Sequence, residues 1–278
     1  MTRNATYLAL AAFVLAGCAT TPPEQAPTET APLSPVLRLR QNLAEVREAI
    51  KADPENAQLH YILGNAYFDL AEFEKARRAY EAAVRMDPDH AAAYCNLGLS
   101  LKRLGSLNKA VEAYRAALEI APDDPTALGN LVVALETAGD LAGALDQLER
   151  LARLRPADVN VRSQLAHVLF RLRRYEEAAD AFRHVMRLDP GLSNHYYNLG
   201  LCYYCMDDLD ATLTSWLAAF AHDPDNPSVN KGLAVVYWRR GEFKQAWNAV
   251  VQCRLKGVPL DPELITGLQA DSGQMGPQ

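Results

Sequence analysis

The 278-residue sequence predicts an all-α solenoid of about six stacked helix pairs, closed by a capping helix at each end. Three observations carry this reading. Prolines stand at 54, 88, 122, 156, 190 and 224, each 34 residues after the last. When each unit is counted from the third residue after its proline, the seventh place is Leu63, Leu97, Leu131, Leu165, Leu199 and Leu233. Within each unit apolar residues recur at i, i+3 or i+4 and i+7, the period of a helix. A fixed period of this length is the signature of a repeat array.

Composition bounds the rest. A net charge of −6, and −7 beyond residue 17, argues against a nucleic-acid binder, which carries a clustered basic excess. Five scattered cysteines are too few for a disulfide framework.

Residues 1–17 read as a signal peptide. Arg3 is their only charge, Leu8–Ala16 is an unbroken apolar run, and nine such residues are too short to cross a bilayer. Leu15-Ala16-Gly17-Cys18 resembles the bacterial lipoprotein cleavage box. That resemblance implies cleavage before Cys18 and its acylation, giving a membrane anchor. Ala19, rather than aspartate, follows the cysteine, which in that family implies sorting to the outer membrane, on the periplasmic face, or a cell-membrane anchor if the organism has a single membrane. Residues 18–35 hold five prolines and no apolar periodicity, a composition suited to an extended tether.

Residues 36–53 form the first expected helix, with Val36, Leu39, Leu43, Val46 and Ile50 on one face, Ser34 as N-cap and Pro35 in the first turn. It lies in phase with the second helix of a missing half-repeat and reads as an N-terminal cap. The array occupies 54–258, with units opening near 57, 91, 125, 159, 193 and 227. Its eighth place is small in five units (Gly64, Gly98, Ala166, Gly200, Ala234), with Val132 the departure. The twentieth is alanine except at Thr212, and the twenty-fourth is Tyr80, Tyr114, Leu148, Phe182, Trp216 and Val250. Small residues let two antiparallel helices approach, and turns fall at Gly105-Ser106, Gly139-Asp140 and Gly241-Glu242. Each proline ends a second helix, because it lacks an N–H and disfavours helical geometry before it. In residues 259–278, Pro262–Gln269 is expected as a short closing helix and Ala270–Gln278 as a disordered tail.

Over residues 57–258 these columns resemble the tetratricopeptide repeat. The resemblance implies a right-handed superhelix whose first helices line a concave groove, with places 2, 5, 6, 9, 12 and 13 facing it. On that basis the groove residues are Tyr61, Asn65, Phe68, Asn96, Lys102, Arg103, Asn130, His167, Phe170, Arg171, Tyr197, Asn198, Tyr204, Lys231, Trp238 and Arg239. Arginine with tyrosine and tryptophan is the composition of protein-binding hot spots; the plain alternative is a solvated helix face. Asn96, Asn130 and Asn198 hold place 6, where related repeats grip a peptide backbone. The carboxylate clamp of chaperone-binding repeats is not reproduced, since Tyr61, Thr126 and Asn130 stand where basic groups are needed.

Cys202-Tyr203-Tyr204-Cys205 is the one local pattern with redox overtones, but it falls mid-helix, without the helix N-terminus that stabilises a thiolate. Cys202 reads as a core residue and Cys205 as a groove residue; a pairing of the two, or a bond to a partner, is the alternative. No histidine or second cysteine pair completes a zinc site. His90, His195 and His222 fall near turns and are expected to be exposed. Phosphate-binding glycine loops, nucleophile elbows and zinc helices are missing. The expectation is a lipid-anchored, non-enzymatic scaffold without cofactor, metal or small-molecule substrate. Its partners would be proteins or peptide segments of the cell envelope. Resemblance to pilotins and envelope adaptors implies clients in pilus or secretion assembly, or peptidoglycan enzymes. A thiol-active protein and a self-assembling array are the alternatives.

Overall fold

A computed structural model describes residues 35–191 and 193–273, and the side chains of 42–191 and 194–273. The lipoprotein box with Cys18, the tether and Ser34 lie outside the described residues. The chain divides into two units, Met1–Gln41 and Asn42–Gln278.

Every described element is a helix. The first is α1, Pro35–Ala52. Six pairs follow: α2 Ala57–Asp69 with α3 Phe73–Met86, α4 Ala91–Arg103 with α5 Leu107–Ile120, and α6 Pro125–Ala138 with α7 Leu141–Leu154. Then come α8 Val159–Arg171 with α9 Tyr175–Leu188, α10 Ser193–Cys205 with α11 Leu209–His222, and α12 Pro227–Arg239 with α13 Phe243–Leu255. The last helix is α14, Pro262–Ser272. The two helices of each pair pack on each other, and each second helix packs on the helix that follows it, as a solenoid requires.

Local chemistry sets these boundaries. Asn56, Asp124, Asp158 and Asn226 are N-caps whose side chains accept from the backbone N–H of the second or third residue of the next helix. The periodic prolines follow the C-caps of the second helices of the first five pairs, and Pro54 follows α1 in the same way. The fifteenth place of every unit adopts the left-handed conformation. Gly105, Gly139 and Gly241 fill three of these turns, whereas Ala71, Arg173 and Asp207 fill the others against steric preference.

The eighth and twenty-fourth places meet where the helices of a pair pack, and the exception at Val132 has a physical reason. A Cβ on Gly98 would come within 2.6 Å of the Tyr114 ring, and Gly64 and Gly200 stand in the same relation to Tyr80 and Trp216. Glycine is present where the twenty-fourth place is largest. Where that place is Leu148, the eighth holds Val132, and both are fully buried. The volume of the pair is conserved rather than either residue.

Two expectations need correction. Helix α14 runs to Ser272 and ends on Gly273 at φ 64°, so Ala270, Asp271 and Ser272 are helical rather than disordered; residues 274–278 lie outside the described residues. His195 is buried, at 8% exposure, although it opens a helix beside an inter-repeat turn.

Candidate protein-binding groove

The first helices of successive pairs stand side by side, and their side chains bond across repeats at separations of 31–35 residues. Asn96 Nδ2 donates to Asn65 Oδ1 at 3.0 Å and to the Tyr61 hydroxyl at 3.4 Å. The Tyr80 hydroxyl donates to the same Asn65 oxygen at 2.7 Å. Asn130 Nδ2 reaches Cys95 Sγ at 3.6 Å. Further along, Asn198 Nδ2 lies 3.1 Å from His167 Nε2. These contacts join Tyr61, Asn65 and Asn96 across the first two repeats, tie Asn130 back to the second, and join His167 to Asn198 across the fourth and fifth.

The basic residues of that face divide into two kinds. Arg171 pairs with Glu136 at 3.3 Å, and Arg239 with Asp207 at 2.5 Å. Arg239 also lies over the Tyr204 ring, 4.9 Å from its centroid, and Tyr204 stacks on Trp216. Each arginine is thus partly neutralised by the preceding repeat. Arg103 is exposed and Lys102 half-buried, and neither has a partner among the described residues. Lys231 is exposed as well. The unspent positive charge is concentrated in the second repeat.

The aromatic residues at place 12 are largely spent on intramolecular packing. Phe68 meets Phe73 edge-on at 5.3 Å, and Phe170 meets Tyr175 at 5.4 Å. Trp238 is a correction to the groove reading. Its indole N–H donates to Asp271 Oδ2 at 2.8 Å, and its ring lies where a side chain at Gly267 would be. It seats α14 on the last repeat, because a terminal unit must cover its apolar edge.

A cavity of about 450 Å³ opens between the fourth and sixth repeats, lined by His167, Asn194, His195, Tyr197, Asn198, Asn226 and Ser228. His167, Tyr197 and Asn198 were legible from their places. Asn194, Asn226 and Ser228 were not singled out, and His195 was expected only as an exposed residue near a turn. The signal for His195 was present all the same. Its column is otherwise Leu59, Ala93, Ala127, Val161 and Val229, all buried and apolar. Burial, then the neighbouring His167, holds the His195 imidazole below its usual range, while Asp189 opposes them. Its Nδ1 is buried without a hydrogen-bond partner among the described residues. Burial likewise pushes the Tyr197 phenol up, offset in part by a hydrogen bond with Ser228.

Cys202 is fully buried and Cys205 exposed, and both are free thiols. Burial, with Cys205 adding to it, pushes the Cys202 thiol up to about 12, the opposite of what a redox nucleophile needs. Among the described residues no group of three or more His, Cys, Asp or Glu could hold a metal, and no helix is long and apolar enough to cross a membrane.

Comparison with known proteins agrees with this architecture. Residues 63–125 and 95–159 match one tetratricopeptide-repeat family model, and 135–201 match a second, together half of the chain. The general transcriptional corepressor ssn6 of Schizosaccharomyces pombe is 28% identical over 92 residues, 32% of this chain and 8% of that protein. The corepressor trfA of Dictyostelium discoideum is 31% identical over 84 residues, 29% of this chain and 6% of its own length. The chain therefore spans less than a tenth of these curated relatives. Among solved structures, YrrB is 24% identical with a TM-score of 0.60, covering 66% of this chain and 95% of its own. MamA from Desulfovibrio magneticus RS-1 is 23% identical with a TM-score of 0.55, covering 60% of this chain and 94% of its own. The C-terminal part of a repeat protein from Cytophaga hutchinsonii is 16% identical with a TM-score of 0.66, covering 83% and 95%. At these identities the solved structures show the fold alone. With a 34-residue period, six helix pairs and matches to two models of one family, the chain belongs to the tetratricopeptide-repeat proteins.

Proposed function

We propose that the chain is a membrane-tethered adaptor of the bacterial cell envelope, holding a peptide segment or a folded partner on the face formed by its first helices. Tetratricopeptide arrays are typically non-catalytic scaffolds for protein–protein interaction. The observation that carries the reading here is the polar ladder bonded across repeats, which offers a bound chain a row of amides and hydroxyls in fixed positions. YrrB, of similar fold, is described as having an unusual peptide-binding site.

The lipoprotein box at Leu15–Cys18 supports the tether, which would raise the effective concentration of captured partners at the membrane. Clients in pilus or secretion assembly, or among peptidoglycan enzymes, fit such an adaptor. Cross-linking in cell envelopes tests both parts. A partner retained by the wild type and lost from Lys102→Glu/Arg103→Glu supports the groove; retention of the same partners by that variant overturns it. Cys18→Ala is expected to move the protein to the soluble fraction with its helicity unchanged. Continued membrane association would overturn the anchor.

A further inference from the structure

We propose that the cavity between the fourth and sixth repeats binds a carboxamide, the side chain of an asparagine or glutamine in the bound peptide; this rests on the peptide-groove reading above. The argument follows the hydrogens. His167 Nδ1 lies 2.6 Å from the Ser163 carbonyl oxygen, which can only accept, so Nδ1 carries the proton. The other ring nitrogen then accepts from Asn198 Nδ2, 3.1 Å away. That bond fixes the amide and leaves Asn198 Oδ1 as an acceptor toward the cavity.

Asn226 is fixed in the same way. As the N-cap of α12, its Oδ1 accepts from the backbone N–H groups of Ser228 and Val229 at 3.1 and 3.3 Å. Its Nδ2 is turned toward Asn194 Oδ1, 3.5 Å away, which leaves Asn194 Nδ2 as a donor. One wall therefore presents an acceptor and the other a donor, the complement of a primary amide.

His195 adds the independent observation. It is nine-tenths buried, it lines the cavity, and its Nδ1 has no partner among the described residues. The column is apolar in the other five repeats; here the His195 ring leans on Phe182, 6.2 Å between centroids, and that contact leaves Nδ1 without a hydrogen-bond partner among the described residues, which costs stability. The remaining chemistry excludes the charged alternatives. The lining holds no carboxylate for an ammonium group and no lysine or arginine to meet a carboxylate; Lys231, one turn beyond Ser228, lies outside it. A carboxylate would also face Asn198 Oδ1, acceptor against acceptor.

The test is selection of a displayed random dodecapeptide library on the full chain, followed by titration of synthetic versions of the selected peptides. The expected result is enrichment of asparagine or glutamine at one position. Replacing that residue by its carboxylate analogue should weaken binding about 10-fold or more, because a site built for a donor–acceptor pair rejects a group lacking one of them. Asn198→Leu and His195→Phe should abolish the preference. Asn194→Asp, at an exposed position that does not endanger folding, should turn it toward lysine. Selected peptides that are acidic, basic or apolar at every enriched position would overturn the assignment while leaving the groove intact. So would an amide preference that survives Asn198→Leu and Asn194→Asp. Failure to enrich any peptide would overturn this assignment and the peptide form of the groove reading, leaving a folded partner as the occupant.

Discussion

At the scale of single residues, the eighth and twenty-fourth places are coupled by volume. Gly98→Val drives a branched side chain into the Tyr114 ring and should cost about 1–3 kcal/mol of stability. Combining it with Tyr114→Leu recreates the Val132–Leu148 pairing and should recover most of that loss. Urea denaturation of the two single variants and the double provides the cycle; additive losses would show that the pair is not coupled. His195 makes a second prediction. Its pKa is lower in the folded chain than the ordinary value of about 6.5, so the unfolded chain binds the proton more readily. Stability contributed by the neutral ring is present above that value and is lost as pH falls through it toward the folded pKa. His195→Phe should flatten the decline in stability between about pH 7 and pH 5, measured as urea midpoints across that window. The left-handed turns give a third. Arg173→Gly relieves a non-glycine residue at φ 61° and should stabilise the fourth repeat by about 0.5–1 kcal/mol in thermal unfolding.

At the scale of elements, the terminal helix is a structural cap rather than a tail. Leu264 and Leu268 are buried against the core that holds Trp247, and the Trp238 and Trp247 indoles both bond to the end of α14, at Asp271 and Ser272. Truncation at residue 258 uncovers that surface and should cost about 3 kcal/mol from the two leucines. It should also shift tryptophan emission to the red. Unchanged emission would mean that α14 does not pack as described.

At the scale of the whole molecule, the core is not one body. A continuous apolar cluster runs from Tyr67 to Cys202, while Trp216 to Val236 and Ala234 to Leu268 form two smaller ones. In an array each unit is stabilised by its neighbours, so stability follows these divisions. Hydrogen exchange in rising urea should show α11 to α14 losing protection before α4 to α8. Uniform loss of protection along the chain would contradict that division.

The sequence by itself determined the period, the helix pairs, their order and the face on which Tyr61, Asn65, Asn96, Arg171 and Asn198 stand, because register and side-chain direction follow from spacing along a helix. It marked Val132 as the departure at the eighth place, but that the eighth place faces the twenty-fourth, so that Leu148 makes room for Val132, came from the packing. Only the tertiary structure decided which of those side chains remain available. Trp238 was claimed by Asp271, Arg171 and Arg239 by acids of the preceding repeat, and Phe68 and Phe170 by rings one turn away. The cavity at His195 emerged only when His167, Asn198 and Ser228 were brought together from neighbouring repeats. Spacing fixes the direction in which a side chain leaves its own helix; its partners come from other helices, and a hydrogen bond depends on distance and angle that only packing supplies.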